Sequence, residues 1–442
     1  VSGRSRDELL AVAAAALDHV GAADAEIVAV ETDSQLTRFA NNTIHQNVGE
    51  SSLQLRARVI KDGRVGVAQV RGETEDAGER VAAAAEQTRV LAGTSDPPPL
   101  PRPDGTADTP VAFSPATKNA TPEQRAEMAA VVVEAAERAS LLAYGSVKTT
   151  TTRTAVVNSA GVRRFAESSE SDLVTVMRGE DGGGYAARHA VGVDDVDPAA
   201  AAAEAVDTCV RNQSAGVLEP GAYEVVLAPY AVIDILDHLG WVGFNALAKL
   251  EHRSFMRPGE RLMSELVTIR DDPRDPALFP YPFDDEGVSS RPVTLIDRGV
   301  CAGFVYDTPT AARDGVVSTG HSLPQPNTWG PYARHVVMDA GDQSVDELIG
   351  AVRRGLYVTR LWYVRDVHPL RTIITGMTRE GTFLIEEGRV ARPVRDLRFT
   401  QSIVDALADV RGVSADRHLA LGEDASGVLA PWVHLGRVTF TS

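Results

Sequence analysis

Five prolines crowd residues 95–105 (Ser95-Asp96-Pro97-Pro98-Pro99-Leu100-Pro101-Arg102-Pro103-Asp104-Gly105). Proline fixes φ and removes an amide donor, so such a run continues neither helix nor sheet. It reads as an extended connector over about residues 95–110, and the same grammar stands on both sides of it. Before it, Leu9, Leu10, Ala13, Ala16, Leu17 and Val20 recur at helical spacing over residues 6–20. Short β-like runs follow at 26–30, 36–40, 53–60 and 65–70, with Asp62-Gly63 as a hairpin turn between the last two, and an Ala-rich helix at 77–92. After the connector, Thr121-Pro122-Glu123-Gln124 caps a helix running to about Ser140. Strand-like runs at 147–157, 162–167, 172–178 and 184–191 lead into a closing helix at 198–212. The pattern predicts an α+β chain whose N-terminal αβ domain, residues 1–220, is made of two similar helix–strands–helix halves.

From Gly221 the texture changes. A strand at 223–227 precedes helical periodicity over 229–248, and the remainder is strand-rich with Gly and Pro punctuation. Leu295-Ile296-Asp297-Arg298-Gly299 and Leu384-Ile385-Glu386-Glu387-Gly388 each turn at a glycine between apolar strands. Residues 221–442 are therefore expected to form a β-rich, barrel-like domain with a closed or nearly closed sheet.

The formal net charge of −17 excludes a general nucleic-acid binder, which needs a basic face to displace phosphate counterions, and an anionic-membrane binder. No segment reaches the ~18 consecutive apolar residues of a membrane span, and the acidic, Ala-rich start is not a signal sequence; a cytoplasmic protein is expected. Cys209 and Cys301 can make neither a disulfide framework nor a Cys-rich metal site, and read as small core residues.

Catalytic signatures are missing. None of the ten histidines is followed by Glu, so the His-Glu pair of a helical zinc site is not present; His238 and His252 each stand alone. Gly320-His321-Ser322-Leu323-Pro324 has Pro324 where a nucleophile elbow needs its second glycine. The segment 179–184 (Gly-Glu-Asp-Gly-Gly-Gly) lies between two strand patterns and reads as a mobile hairpin tip rather than a phosphate cradle. The acidic run Asp284-Asp285-Glu286-Gly287 is either a solvated turn or a loop that binds a partner, a substrate amine or a cation.

Several segments carry a resemblance to a known family. They include Arg38-Phe39-Ala40-Asn41-Asn42-Thr43-Ile44-His45-Gln46, Pro282-Phe283-Asp284-Asp285-Glu286-Gly287, Asp307-Thr308-Pro309-Thr310-Ala311-Ala312, Ser318-Thr319-Gly320-His321 and Gly355-Leu356-Tyr357-Val358. In order and spacing they resemble the TldD/PmbA family, whose active members resemble heterodimeric zinc peptidases. One branch, TldD-like, carries His-Glu-x-x-x-His on the helix after the first strand of the C-terminal domain, with a later Cys as third ligand. Here the corresponding positions hold Asp237, His238 and Val242, and no Cys follows Cys301. The resemblance therefore implies the TldE/PmbA branch: no catalytic residue, metal or cofactor in this chain, zinc in a TldD-like partner, and a heterodimer acting on peptides or small amides. Asp285, Glu286, Thr308 and His321, within the family-like segments, become candidates for a substrate-facing or subunit-facing surface. Thr375-Gly376-Met377-Thr378 stands where the family usually has Thr-Gly-Asp-Phe-Ser, which points to a specialised substrate. The alternatives are a subunit of an amide hydrolase in natural-product (antibiotic) maturation and a stand-alone binding or regulatory protein.

Overall fold

The computed structural model describes residues 3–21, 23–72, 76–93, 95, 97–105, 112–422 and 427–441. Residue 96 and residues 106–110 of the connector lie outside them. The first half comprises α1 (Arg6–Asp18), β1 (Asp24–Ala40), β2 (Thr43–Lys61), β3 (Arg64–Arg71) and α2 (Ala77–Leu91). The second comprises α3 (Pro115–Lys118), α4 (Pro122–Arg138), β4 (Leu142–Asn158), β5 (Arg163–Arg178), β6 (Gly183–Ala190) and α5 (Pro198–Arg211). All six strands form one antiparallel sheet in the order β3-β2-β1-β4-β5-β6. The two halves thus meet at the central β1–β4 pair, each carrying its helices on the same face. Ala25, Ile27 and Ala29 point to α1 and α2 and pack with Leu9, Val81 and Ala85. Phe39, Leu173 and Met177 pack with Met128, Val132 and Ala205 of α4 and α5.

Expected short strands fused here into ribbons of 16 to 19 residues. The runs 26–30 and 36–40 are one strand because Glu31–Gln35, though polar, pairs in unbroken register with β2 and β4. The sheet's second face explains such polarity. It carries Glu26 and Val28 of β1, paired with Arg58 and Arg56 of β2, and turns towards the C-terminal part, where Val28, Val156 and Ala166 pack against Phe283. In the segment 179–184, Glu180 and Asp181 are exposed at the hairpin tip while Gly182, Gly183 and Gly184 are buried, and a Cβ on Gly184 would lie 2.0 Å from the Ala205 carbonyl oxygen, so only glycine lets β6 pass under α5.

The C-terminal part begins with β7 (Gly221–Leu227) and α6 (Pro229–Leu239), a π-helical turn at Gly240–Phe244, and α7 (Ala246–Leu250). Next come β8 (Ile269–Asp271), β9 (Val293–Asp297), β10 (Val300–Cys301), α8 (Thr308–Asp314), β11 (His335–Met338) and α9 (Val345–Gly350). The chain ends with β12 (Arg354–Val358), β13 (Leu361–His368), β14 (Ile373–Thr378), β15 (Thr382–Glu386), β16 (Arg389–Pro393), β17 (Arg398–Ser402), α10 (Ile403–Ala408), β18 (Val410–Ala420) and β19 (Gly427–Phe440). These strands make one mixed sheet with β19 at its hub, pairing β7, β11, β17 and β18. The β-rich expectation holds, and among the described residues the main pairing path runs from β10 to β16, with no pairing between those two end strands. The largest core of the molecule fills this part, with Leu236, Leu239, Phe244, Leu356 and Val428 almost wholly buried. Cys209 and Cys301 are buried thiols in their respective cores. Among the described residues no helix is long and apolar enough to cross a membrane.

Candidate functional site

The expected continuous helix over 229–248 is interrupted at the place that matters most. In an α-helix, residues five apart are rotated about 140° from alignment, since each residue turns about 100°. A π-helical turn bonds i to i+5 and brings such residues back towards one face. The π-helical turn at Gly240–Phe244 begins after Asp237 and includes Val242, the two positions of the degenerate pair. Their chemistry does not suit a metal. Val242 has no donor atom and is buried. Asp237 is 4% exposed and accepts the Tyr332 hydroxyl at 2.5 Å. Tyr332 in turn stacks on Trp241, ring centroids 4.3 Å apart, and its amide donates to the His321 carbonyl. A Cβ on Gly240 would come within 2.9 Å of the Tyr332 ring, so this glycine admits the ring. His238 Nδ1 lies 2.9 Å from the Asp234 carbonyl oxygen, one turn back along α6. Among the described residues no three His, Cys, Asp or Glu side chains converge as a metal site. The zinc that the family implies does not fit the donors present here, because one position is aliphatic and the other is capped by a phenol.

The exposed face of α6 opens into a cleft of about 340 Å³ lined by Tyr230, Asp234, His238, Arg360, Trp362 and Tyr185, among others. Its walls come from both parts of the chain: Tyr185 from β6, Trp362 from β13. A neighbouring cavity of about 210 Å³ continues past Tyr230 to His418, Tyr357 and Trp432. Burial pushes the Tyr185 and Tyr230 hydroxyls above their ordinary range, so both stay neutral hydrogen-bonding groups. Burial, reinforced by Arg188, holds His418 down to about 4.

The four candidates Asp285, Glu286, Thr308 and His321 gather elsewhere, at the junction between the two sheets. Glu286 is fully buried and binds Arg58 Nη1 at 3.0 Å and the Thr308 amide at 2.9 Å. Arg58 also holds Glu26 at 3.1 Å. Asp285 bridges Arg56 of β2, at 3.3 Å, and Arg334, at 2.8 Å. Asp284 accepts the amides of Glu286, Val288 and Ser322 at 2.8 to 3.0 Å. Burial, then the neighbouring Glu286, raises its carboxyl well above the usual range. Neither a solvated turn nor a surface for a partner describes Glu286: its carboxylate is enclosed by this chain's own groups. The arginines that satisfy the run lie on β2 and beside β11, far away in sequence, which is why the run alone suggested solvent or a foreign cation. His321 is likewise internal, with Nε2 2.9 Å from Asp271, whose other oxygen accepts the His335 amide at 2.8 Å. Thr308 opens α8 behind its capping residue Asp307.

Residues 220–442 match the family model described as the PmbA/TldA metallopeptidase C-terminal domain, and residues 25–92 match the model for domain 1. The chain belongs to the PmbA/TldD family. A metalloprotease of Methanothermobacter thermautotrophicus is 31% identical over 166 residues, 37% of this chain and 36% of the relative. A "Metalloprotease TldD homolog" of Haemophilus influenzae is 27% identical over 223 residues, 46% of this chain and 45% of the relative. Each of these alignments thus spans less than half of the curated relative's length. The crystal structure of TldE from Thermococcus kodakarensis superposes with a TM-score of 0.88 at 21% identity, covering 99% of this chain and 100% of that one. The family fold is thereby established over the whole chain, including strands β4–β6, which neither family model reaches. The π-helical turn and the stacked Tyr332 went unseen in the sequence; the five-residue spacing of the degenerate positions was the available signal for the first, and nothing local signalled the second.

Proposed function

We propose that this chain is the TldE-type, non-catalytic subunit of a peptidase whose zinc is held by a TldD-like partner, and that the pair hydrolyses peptides or small amides in the cytoplasm. The observation that carries the reading is the helix α6 site. Asp237, capped by the Tyr332 hydroxyl, and the buried, donor-free Val242 stand at the two positions of the family's histidine pair, and neither can hold zinc. Amide hydrolysis needs a polarising ion or oxyanion donors beside a general base. The α6 cleft offers neutral phenols, Asp234, Asp237 and one histidine, His238, and no cluster of metal-ligating side chains among the described residues, which supports an ion supplied by a partner. The cleft supplies instead a partly aromatic cavity of about 340 Å³, which supports a substrate-holding role.

A narrower substrate is favoured by one feature. The departure at Thr375-Gly376-Met377-Thr378 lies in β14, where Met377 pairs with Trp362, a wall of the cleft. A wall altered at that point fits a pair dedicated to one class of amide, as in natural-product maturation, better than a general scavenger. Co-expression with a zinc-motif family member from the same genome, followed by affinity purification and metal analysis, tests the assignment. A stoichiometric complex whose zinc is lost when the partner's histidines are replaced supports it; two chains that never co-purify refute it.

A further inference from the structure

Three arginines converge on one carboxylate at the mouth of the α6 cleft. Glu380, 4% exposed, is bound by Arg178 Nη2 at 3.0 Å, Arg360 Nη1 at 2.6 Å and Arg379 Nε at 3.3 Å. Arg178 comes from the end of β5 and the other two from the C-terminal part, so the cluster straddles the two sheets. A guanidinium has five N–H donors, and each arginine gives one nitrogen to Glu380. Arg178 and Arg379 line an open cavity of about 480 Å³ together with Tyr144, Tyr185 and Trp362. Their side chains are 41% and 34% exposed, whereas Arg360 is 16% exposed and lies 3.9 Å over the Tyr185 ring. Trp362 sits between Arg360, at 5.2 Å, and Arg379, at 4.5 Å.

One arginine would suffice to hold Glu380 as a tie between the sheets. The surplus leaves the four charged groups lining this cavity at three positive to one negative; Asp396, which feels Glu380, Arg379 and Arg178, lies outside the lining. This local excess runs against the net charge of the chain, −17. The backbone is held unusually here too: Glu380 has φ +54° and Tyr363, in the adjoining wall, φ +53°, values that non-glycine residues adopt only when their surroundings enforce them.

We propose that Arg178, Arg379 and Trp362 form a subsite for the acidic part of a peptide, binding a side-chain or terminal carboxylate beside an aromatic or apolar residue. Arginine forks match carboxylates in two-point geometry, and the indole and Tyr185 faces take the flanking side chain. Arg360 and Trp362 line both this cavity and the α6 cleft. A peptide anchored by its acid therefore extends along α6. The proposal rests on the reading of this chain as a substrate-holding subunit, and it names the substrate class: acidic peptides.

The test uses the isolated chain, so pairing with a partner plays no part in it. Calorimetric titration compares acetyl-Ala-Glu-Phe-Glu-Ala-amide with the same peptide carrying Gln for both Glu. The acidic peptide should bind about tenfold or more tightly, as expected for losing a charge-assisted Arg–carboxylate contact, and its affinity should fall with salt. The Arg178→Gln/Arg379→Gln variant keeps Arg360 on Glu380, should retain the wild-type melting temperature, and should lose the preference. Should that variant unfold, Trp362→Leu provides the second arm, with weakened binding of the acidic peptide and quenching of wild-type tryptophan fluorescence by it. Equal binding of the two peptides, an unchanged preference in the variants, or binding of a single-stranded oligonucleotide without binding of the acidic peptide would overturn the proposal. Acidic-peptide binding without complex formation would instead count against the subunit assignment and leave the subsite standing.

Discussion

Replacing Arg58 by Met should loosen the junction between the two sheets by an amount the structure sets. Arg58 is the cation between Glu26 and Glu286, which are 2% and 0% exposed and lie 3.1 and 3.0 Å from its nitrogens. Removing the cation of a buried ion group costs about 3–5 kcal/mol, because the remaining charges stay buried without compensation. The loss depends on pH in a defined direction. Burial, against the pull of Arg58, raises the Glu26 carboxyl to about 7 in the folded protein. A folded-state value above the unfolded one means that the folded chain binds this proton more tightly. That contribution is complete below pH 4.5 and is lost as pH rises through about 7, a change on the order of 3 kcal/mol. Without the pull of Arg58 the Glu26 carboxyl protonates still more readily, so Arg58→Met should cost least near pH 5 and most near pH 8. Adding Glu26→Gln should recover a large part of the loss at pH 8. Urea unfolding followed by far-ultraviolet circular dichroism reads the effect, since all four tryptophans lie in the C-terminal part and would under-report the N-terminal sheet. A loss below about 1 kcal/mol at pH 8, the size of an exposed ion pair, would show that the junction is not built on this group.

Other outcomes follow from the same coordinates. Gly240→Ala drives a methyl group to 2.9 Å from the Tyr332 ring, so it should cost about 1–3 kcal/mol and weaken the near-ultraviolet signal of the Trp241–Tyr332 stack; unchanged spectra would contradict the account of that glycine. His418 is held down to about 4, so its contribution is complete above pH 6.5 and lost as pH falls through 4. His418→Phe should therefore flatten the acid limb of the stability curve by about 2 kcal/mol, allowing for partial exposure, and a limb as steep as in the unaltered protein would refute the cause. The isolated chain, dialysed against a mild chelator, should retain far less than one zinc per chain by atomic absorption; one bound zinc would overturn the reading of Asp237 and Val242.

Much of the fold was legible because the helices are amphipathic and capped. Ser5 and Glu8 form a capping box, Thr121 caps α4 ahead of Pro122, and Asp197 caps α5 ahead of Pro198. Strand extents were less legible, since Thr32 and Ser34 lie mid-strand on the sheet's polar second face, opposite Thr152 and Thr150, and imitate a loop between two short strands. The degenerate motif positions Asp237, His238 and Val242 were found by their place after β7, but their surroundings depend on Tyr332, ninety-five residues beyond Asp237. The acidic run misled for the same reason: Arg56 and Arg58 stand more than 220 residues away from it. Composition names the charges but not which of them meet, and pairing decided whether these carboxylates were surface or core.

The central claim is that this chain holds substrate while a partner supplies the metal. Peptide cleavage by the purified chain, by a TldD-like partner bearing His-Glu-x-x-x-His, and by their mixture tests it most directly. The account predicts no turnover by this chain alone and robust hydrolysis by the mixture, abolished by chelator or by replacing the partner's Glu, with the complex intact in the latter case. Chelator-resistant cleavage by this chain alone would contradict it.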